Sequence, residues 1–77
     1  MEKKLSELVP GEKGGVARVA AEGRIRRRLL DMGVTPGAAV VMRKKAPLGD
    51  PLEVTVRGYE LTLRKSEADC VTVAVDA

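Results

Sequence analysis

Three stretches in the second half of the chain alternate between apolar and polar residues, and they limit its fold more than any other feature. Leu52, Val54 and Val56 alternate with Glu53, Thr55 and Arg57. Leu61 and Leu63 alternate with Glu60, Thr62 and Arg64, and Val71, Val73 and Val75 form the third set. A period of two places every second side chain on one face of a strand. Gly58 bends the chain between the first two stretches. Ser66 to Asp69 is predicted to make one helical turn before the third, with Ser66 as its N-cap. Upstream, Val16 to Ala20 reads as a strand, with Val16, Arg18 and Ala20 on one face and Ala17 and Val19 on the other. Ala38 to Lys45 reads as another, with Val40 and Met42 inward. About five short strands joined by tight turns predict a small barrel, because closing a sheet on itself removes its exposed edges.

The chain of 77 residues suits one domain over residues 1–77. Eleven valines against one isoleucine, with no Phe or Trp, make a core of β-branched and leucine side chains. Tyr59 is the only aromatic residue, and core packing with its hydroxyl at the surface is expected. Leu5 and Leu8, ahead of Pro10-Gly11, predict one short helical turn and a stop. One longer helix is predicted over Glu22–Met32. Ile25, Leu29 and Met32 fall at i, i+4 and i+7 as a single apolar stripe. Gly33 stands where a left-handed residue closes a helix, Val34 is placed to touch Leu29, and Thr35-Pro36-Gly37 prevents continuation.

Several kinds of chemistry are excluded by residue type. There is no histidine, so the commonest general base and transition-metal ligand are missing. Cys70 is the only thiol; it has an acidic neighbour, Asp69, and reads as a small side chain at the start of a strand. Asp50, Glu53, Glu67, Asp69 and Cys70 lack ligand spacing, so no metal site and no cofactor are expected. Glu67 and Asp69 read as surface and first-turn charges. No catalytic residue is assigned, and an enzyme is not expected. No apolar run approaches a membrane span, and the opening MEKKLSELVPG lacks the apolar segment of a secretory signal. A cytoplasmic protein is the expectation.

Charge is distributed unevenly. Residues 18–45 hold eight basic and two acidic side chains, and residues 46–77 hold three basic and six acidic. Arg24, Arg26, Arg27 and Arg28 crowd the first half of the predicted helix, where the dipole is positive, while Asp31 sits near its negative end. Both placements are unfavourable by about 0.3–1 kcal/mol per exposed charge, which points to a binding face. The alternative is that long Arg stems cover core edges and pair with acids from the last third. Arg24 and Arg27 are expected to point outward, with Arg26 and Arg28 flanking the stripe. The loop PLGDP, residues 47–51, holds Leu48 between two prolines as a candidate apolar anchor. Arg24, Arg27, Arg28, Leu48, Gly49 and Asp50 are therefore the candidate partner-binding residues. A single aromatic residue cannot supply stacking platforms for nucleic acid or line a proline-recognition groove, so neither specific nucleic-acid nor proline-rich partners are expected.

Three segments in order, LSELVPGEKGGV (5–16), RRRLLDMGVTPG (26–37) and APLGDPLEVTVRGYELTLRKSEAD (46–69), resemble the FeoA family of ferrous iron transport proteins. The resemblance implies an SH3-like barrel with one helix inserted after the first strand. It also implies a cytoplasmic, non-enzymatic accessory protein whose partner is the cytoplasmic part of FeoB, a membrane permease with a GTP-binding domain. The alternative is a regulatory module related to the C-terminal domain of iron-dependent repressors. The oligomeric state is left open.

Overall fold

A computed structural model describes residues 1–75. Asp76 and Ala77, the end of the domain expected over 1–77, lie outside the described residues. Among the described residues six antiparallel strands form one curled sheet: β1 (Glu2–Lys4), β2 (Lys13–Val19), β3 (Ala39–Lys45), β4 (Leu52–Val56), β5 (Tyr59–Leu63) and β6 (Val71–Val75), in the order β1-β6-β2-β3-β4-β5. Helix α1 spans Gly23–Asp31, a one-turn helix α2 spans Lys65–Ala68, and Leu5–Glu7 forms a single 3-10 turn. This is the mostly β SH3-like fold, with one strand more than expected and without the expected full closure: among the described residues β1 and β5 end the sheet and do not pair with each other. β1 is Glu-Lys-Lys, whose side chains show no alternation, and it pairs with β6 from Glu2↔Ala74 to Lys4↔Thr72. The helix therefore follows the strand it was expected to follow, which β1 makes second in order.

The alternating stretches build the core. Leu52, Val54 and Val56 are all buried, as are Val71, Val73 and Val75. Each such side chain contributes about 1.5–3 kcal/mol when removed from water. Val40 and Met42 point inward as predicted. In β2 the predicted phase is wrong. A bulge between Val16 and Arg18 in the pairing with β6 resets the register, so Val16 and Val19 are both buried and Arg18 is exposed. One extra residue between them turns Val19 back to the core side.

Helix α1 ends as its sequence predicts. Gly33 takes φ 90°, its N–H donates to Leu30 O at 3.0 Å, and Val34 N–H donates to Leu29 O at 2.9 Å. This is the Schellman arrangement, with Leu29 and Val34 both in the core. The apolar stripe is narrower than expected. Leu29 is fully buried and Met32 packs partly against the core, but Ile25 is 42% exposed. In a helix of nine residues, only the C-terminal turn reaches the sheet deeply enough to bury its apolar side chain.

Candidate functional site

The four arginines of α1 divide by direction. Arg26 reaches back and donates to Val19 O at 2.9 Å. Arg28 Nε lies 3.1 Å from Glu67 Oε2. Arg24 and Arg27 are exposed and have no hydrogen-bond or ion-pair partner among the described residues. With Arg28, Asp31 and Met32 they line an open groove of about 370 Å³ along the helix. The groove is cationic, with the half-buried Met32 contributing an apolar side chain.

Leu48 is 94% exposed. Its loop is closed beneath it by Gly49 N–H to Ala46 O at 2.7 Å and Ala46 N–H to Pro51 O at 3.1 Å. Gly49 permits the turn by taking φ 81°. Asp50 turns toward α2, where its Oδ1 accepts the backbone N–H of Lys65 at 3.0 Å. The short helix α2 therefore links the two halves of the candidate set: Arg28 holds it through Glu67, and Asp50 holds its first residue. Arg28, Gly49 and Asp50 are engaged within the chain, whereas Arg24, Arg27 and Leu48 face solvent.

Sequence reasoning misplaced Glu67. It is 5% exposed rather than on the surface. Its Oε1 accepts the Arg64 N–H at 2.9 Å, satisfying a free donor at the start of α2, and its Oε2 faces Arg28. The N-cap residue is accordingly Arg64, not Ser66. The available signal was a glutamate three residues beyond the end of a strand pattern, the capping-box position, obscured because the N-cap position three residues before it holds Arg64 rather than Ser or Thr. Tyr59, expected in the core, is 75% exposed, because it sits beside the turn where β5 begins.

Two other carboxylates are tied to neighbours. Asp69 accepts a hydrogen bond from the Ser6 hydroxyl, which with the charges of Lys65 and Lys4 holds its pKa below the ordinary carboxylate range despite partial desolvation. Glu12 accepts the Val9 N–H at 3.1 Å and pairs with Lys3 at 3.0 Å, and these lower its pKa. Cys70 is half-buried, with its thiol directed at Ser66 O, 3.4 Å away. Among the described residues no group of three or more Cys, Asp or Glu is arranged to hold a metal ion. No helix there is long and apolar enough to cross a membrane.

Comparison with known proteins adds a family. The family model described as the FeoA domain matches residues 3–75. A fusion of Fe(2+) transport protein A with the Fe(2+) transporter FeoB from Porphyromonas gingivalis is 34% identical over 70 residues, covering 91% of this chain and 8% of the relative. This chain thus spans only a small part of that relative's length. The solution structure of the FeoA protein from Chlorobium tepidum is 48% identical, with TM-score 0.89 over 97% of this chain and 71% of that one. The zinc complex of FeoA from Stenotrophomonas maltophilia, described as a prokaryotic SH3 domain protein, is 39% identical, with TM-score 0.78 over 99% of this chain and 89% of that one. A manganese-dependent transcriptional repressor shares the fold alone, at 17% identity and TM-score 0.89 over 97% of this chain and 42% of that one.

Proposed function

The chain belongs to the FeoA domain family, linked to ferrous iron transport, and on that premise we propose that it is a non-enzymatic, cytoplasmic accessory protein that binds FeoB. The observation that carries this reading is the Porphyromonas gingivalis relative, in which a similar segment and FeoB are one polypeptide. Covalent fusion keeps two modules at high effective concentration. Where the two modules are separate polypeptides they meet by diffusion, and exposed charge assists that encounter. Arg24 and Arg27 are the unpaired cations best placed to steer it onto an acidic surface. Leu48, on its closed loop, is suited to enter a pocket once contact is made. Arg28, Gly49 and Asp50 act indirectly, by holding the helix and the loop on either side of α2. A metal-responsive regulatory module is supported only by the shared fold, and fold alone does not carry function.

The test is binding kinetics to the cytoplasmic part of FeoB, with iron uptake measured in cells lacking the native protein. Arg24→Glu combined with Arg27→Glu should slow association and flatten its salt dependence. Leu48→Asp should instead speed dissociation, by about 2 kcal/mol or more for a true hot spot. Wild-type kinetics in both variants would remove this surface from the mechanism. No association by the wild-type chain would remove the FeoB reading.

A further inference from the structure

The two ends of the sheet are built differently. β1 has three residues, two of them lysines, and runs directly into the 3-10 turn. Short, charged edges of this kind discourage pairing with other chains. β5 has five residues, Tyr-Glu-Leu-Thr-Leu, with no lysine and no proline, and pairs with β4 through five unbroken positions from Val56↔Tyr59 to Leu52↔Leu63. Of the usual protections it has no lysine, proline or bulge, and its one charged side chain is Glu60.

The turn before β5 determines which of its backbone groups are free. Arg57 and Gly58 both have positive φ, 52° and 87°, so they form a two-residue hairpin turn of the I′ kind. The pair closing such a turn, Val56 and Tyr59, is hydrogen-bonded, and pairs alternate from there. Leu61 and Leu63 direct their N–H and C=O toward β4. Glu60 and Thr62 direct theirs outward, and no backbone hydrogen bond outside the β4–β5 ladder engages either residue among those described. Both side chains are exposed, and Leu61 is half-buried. Neither Glu60 nor Arg64 has an ion-pair partner among the described residues.

We infer that β5 pairs antiparallel with β5 of a second copy of this chain, about a two-fold axis at Leu61, so that one sheet runs through both protomers. Three registers bring the outward-facing residues together, and two are disfavoured. Centring on Glu60 sets two carboxylates directly opposite each other, which repel. Centring on Thr62 requires the Arg64 N–H, which is already donated to Glu67. Centring on Leu61 sets Glu60 against Thr62 of the partner subunit, and the reverse, so all four outward N–H and C=O groups of each chain are satisfied. It also places the two Leu61 side chains against each other and Glu60 diagonal to Arg64 of the partner subunit, within reach of a long side chain. The interface is isologous and therefore closes at two copies. The contact is independent of the FeoB reading.

Sedimentation of the full chain from micromolar to millimolar concentration should show a monomer–dimer equilibrium. Thr62→Glu, an exposed change, places a carboxylate opposite Glu60 of the partner subunit twice and should weaken the dimer about tenfold or more. Adding Glu60→Lys should restore it. In a Cys70→Ser background, Leu61→Cys should form a symmetric disulfide, because Cα atoms of a non-hydrogen-bonded antiparallel pair lie about 4.5 Å apart. Leu48→Cys, more exposed but away from β5, should crosslink only slowly. A monomer at millimolar concentration, an unchanged dimer in Thr62→Glu, or equal crosslinking of Leu61→Cys and Leu48→Cys would each overturn the inference.

Discussion

Gly14 and Gly15 are consecutive in β2, yet they should respond oppositely to an added methyl group. A Cβ on Gly14 would stand 2.2 Å from Ala74 O and 2.8 Å from Val73 Cγ1. Both atoms belong to β6, which is held between β1 and β2 and cannot retreat without disturbing two ladders. A Cβ on Gly15 would meet nothing nearer than Ala38 O at 4.0 Å. Neither glycine has a positive φ, so the backbone conformation suits alanine at both positions. The gain from stiffening the unfolded chain, about 0.4–1 kcal/mol, is therefore common to the two substitutions. Gly15→Ala should realise that gain. Gly14→Ala should lose it to overpacking of about 1–3 kcal/mol or more. The common gain cancels in the comparison, so the two variants should differ by at least about 1 kcal/mol, out of a total stability of roughly 4–12 kcal/mol for a chain of this size. At about 4–8 °C per kcal/mol for small domains, their melting temperatures should separate by about 4 °C or more. Urea and thermal unfolding followed by circular dichroism measure this directly, and an unchanged urea slope shows that the same transition is compared. Equal stabilities, or a Gly14→Ala variant that outlasts Gly15→Ala, would refute the close approach of β2 to β6.

Other consequences can be checked with the same unfolding assay. Leu29→Ala should destabilise by about 2–5 kcal/mol as a buried truncation, while Ile25→Ala, half outside the core, should lose clearly less. Glu67→Ala should lose about 0.5–2 kcal/mol with the capping interaction at Arg64, and Glu67→Gln, which keeps an acceptor, should lose less. The lowered carboxyl pKa values of Asp69 and Glu12 mean that the unfolded chain binds more protons than the folded one in the acidic range. Their stabilisation is present above the ordinary carboxylate range and is lost as pH falls through the folded-state values. Ser6→Ala, by removing the main cause at Asp69, should make the acid-induced loss of stability shallower.

Strands whose inward positions are uninterrupted were legible in the residues, because alternation and burial there follow one rule. β4 and β6 have their apolar residues where a period of two puts them, and β3 has Val40 and Met42 inward. The helix cap was legible too, because Gly33 and Val34 act through local backbone geometry. Tertiary context decided the rest. The bulge in β2 depends on its partner β6, so Val19 faced the wrong way in the pattern. The burial of Ile25 depends on how far the sheet extends beneath α1. β1 is two lysines and a glutamate paired to β6, with no apolar signal of its own. For the candidate site, the outward direction of Arg24 and Arg27 followed from helical spacing, and the exposure of Leu48 from its place between prolines. The role of Asp50 at α2 and the burial of Glu67 required the fold, since each acts on a segment that only folding brings close or leaves without solvent.

The first and last described strands, β1 and β6, lie side by side and antiparallel, with Glu2 opposite Ala74 and the Val75 N–H donating to Met1 O at 2.7 Å. The polypeptide thus enters and leaves the domain through one doorway. A module with its ends together can be hung from a neighbour by a single tether or spliced into a loop without pulling its sheet apart. The pairing that joins β1 to β6 also acts as a strain relief: tension from anything attached at either end falls first on the β1–β6 seam, and the strands that position Leu48 and α1 lie further along the sheet. A domain of this construction can be exchanged between free-standing and fused arrangements while its outward-facing residues keep their geometry.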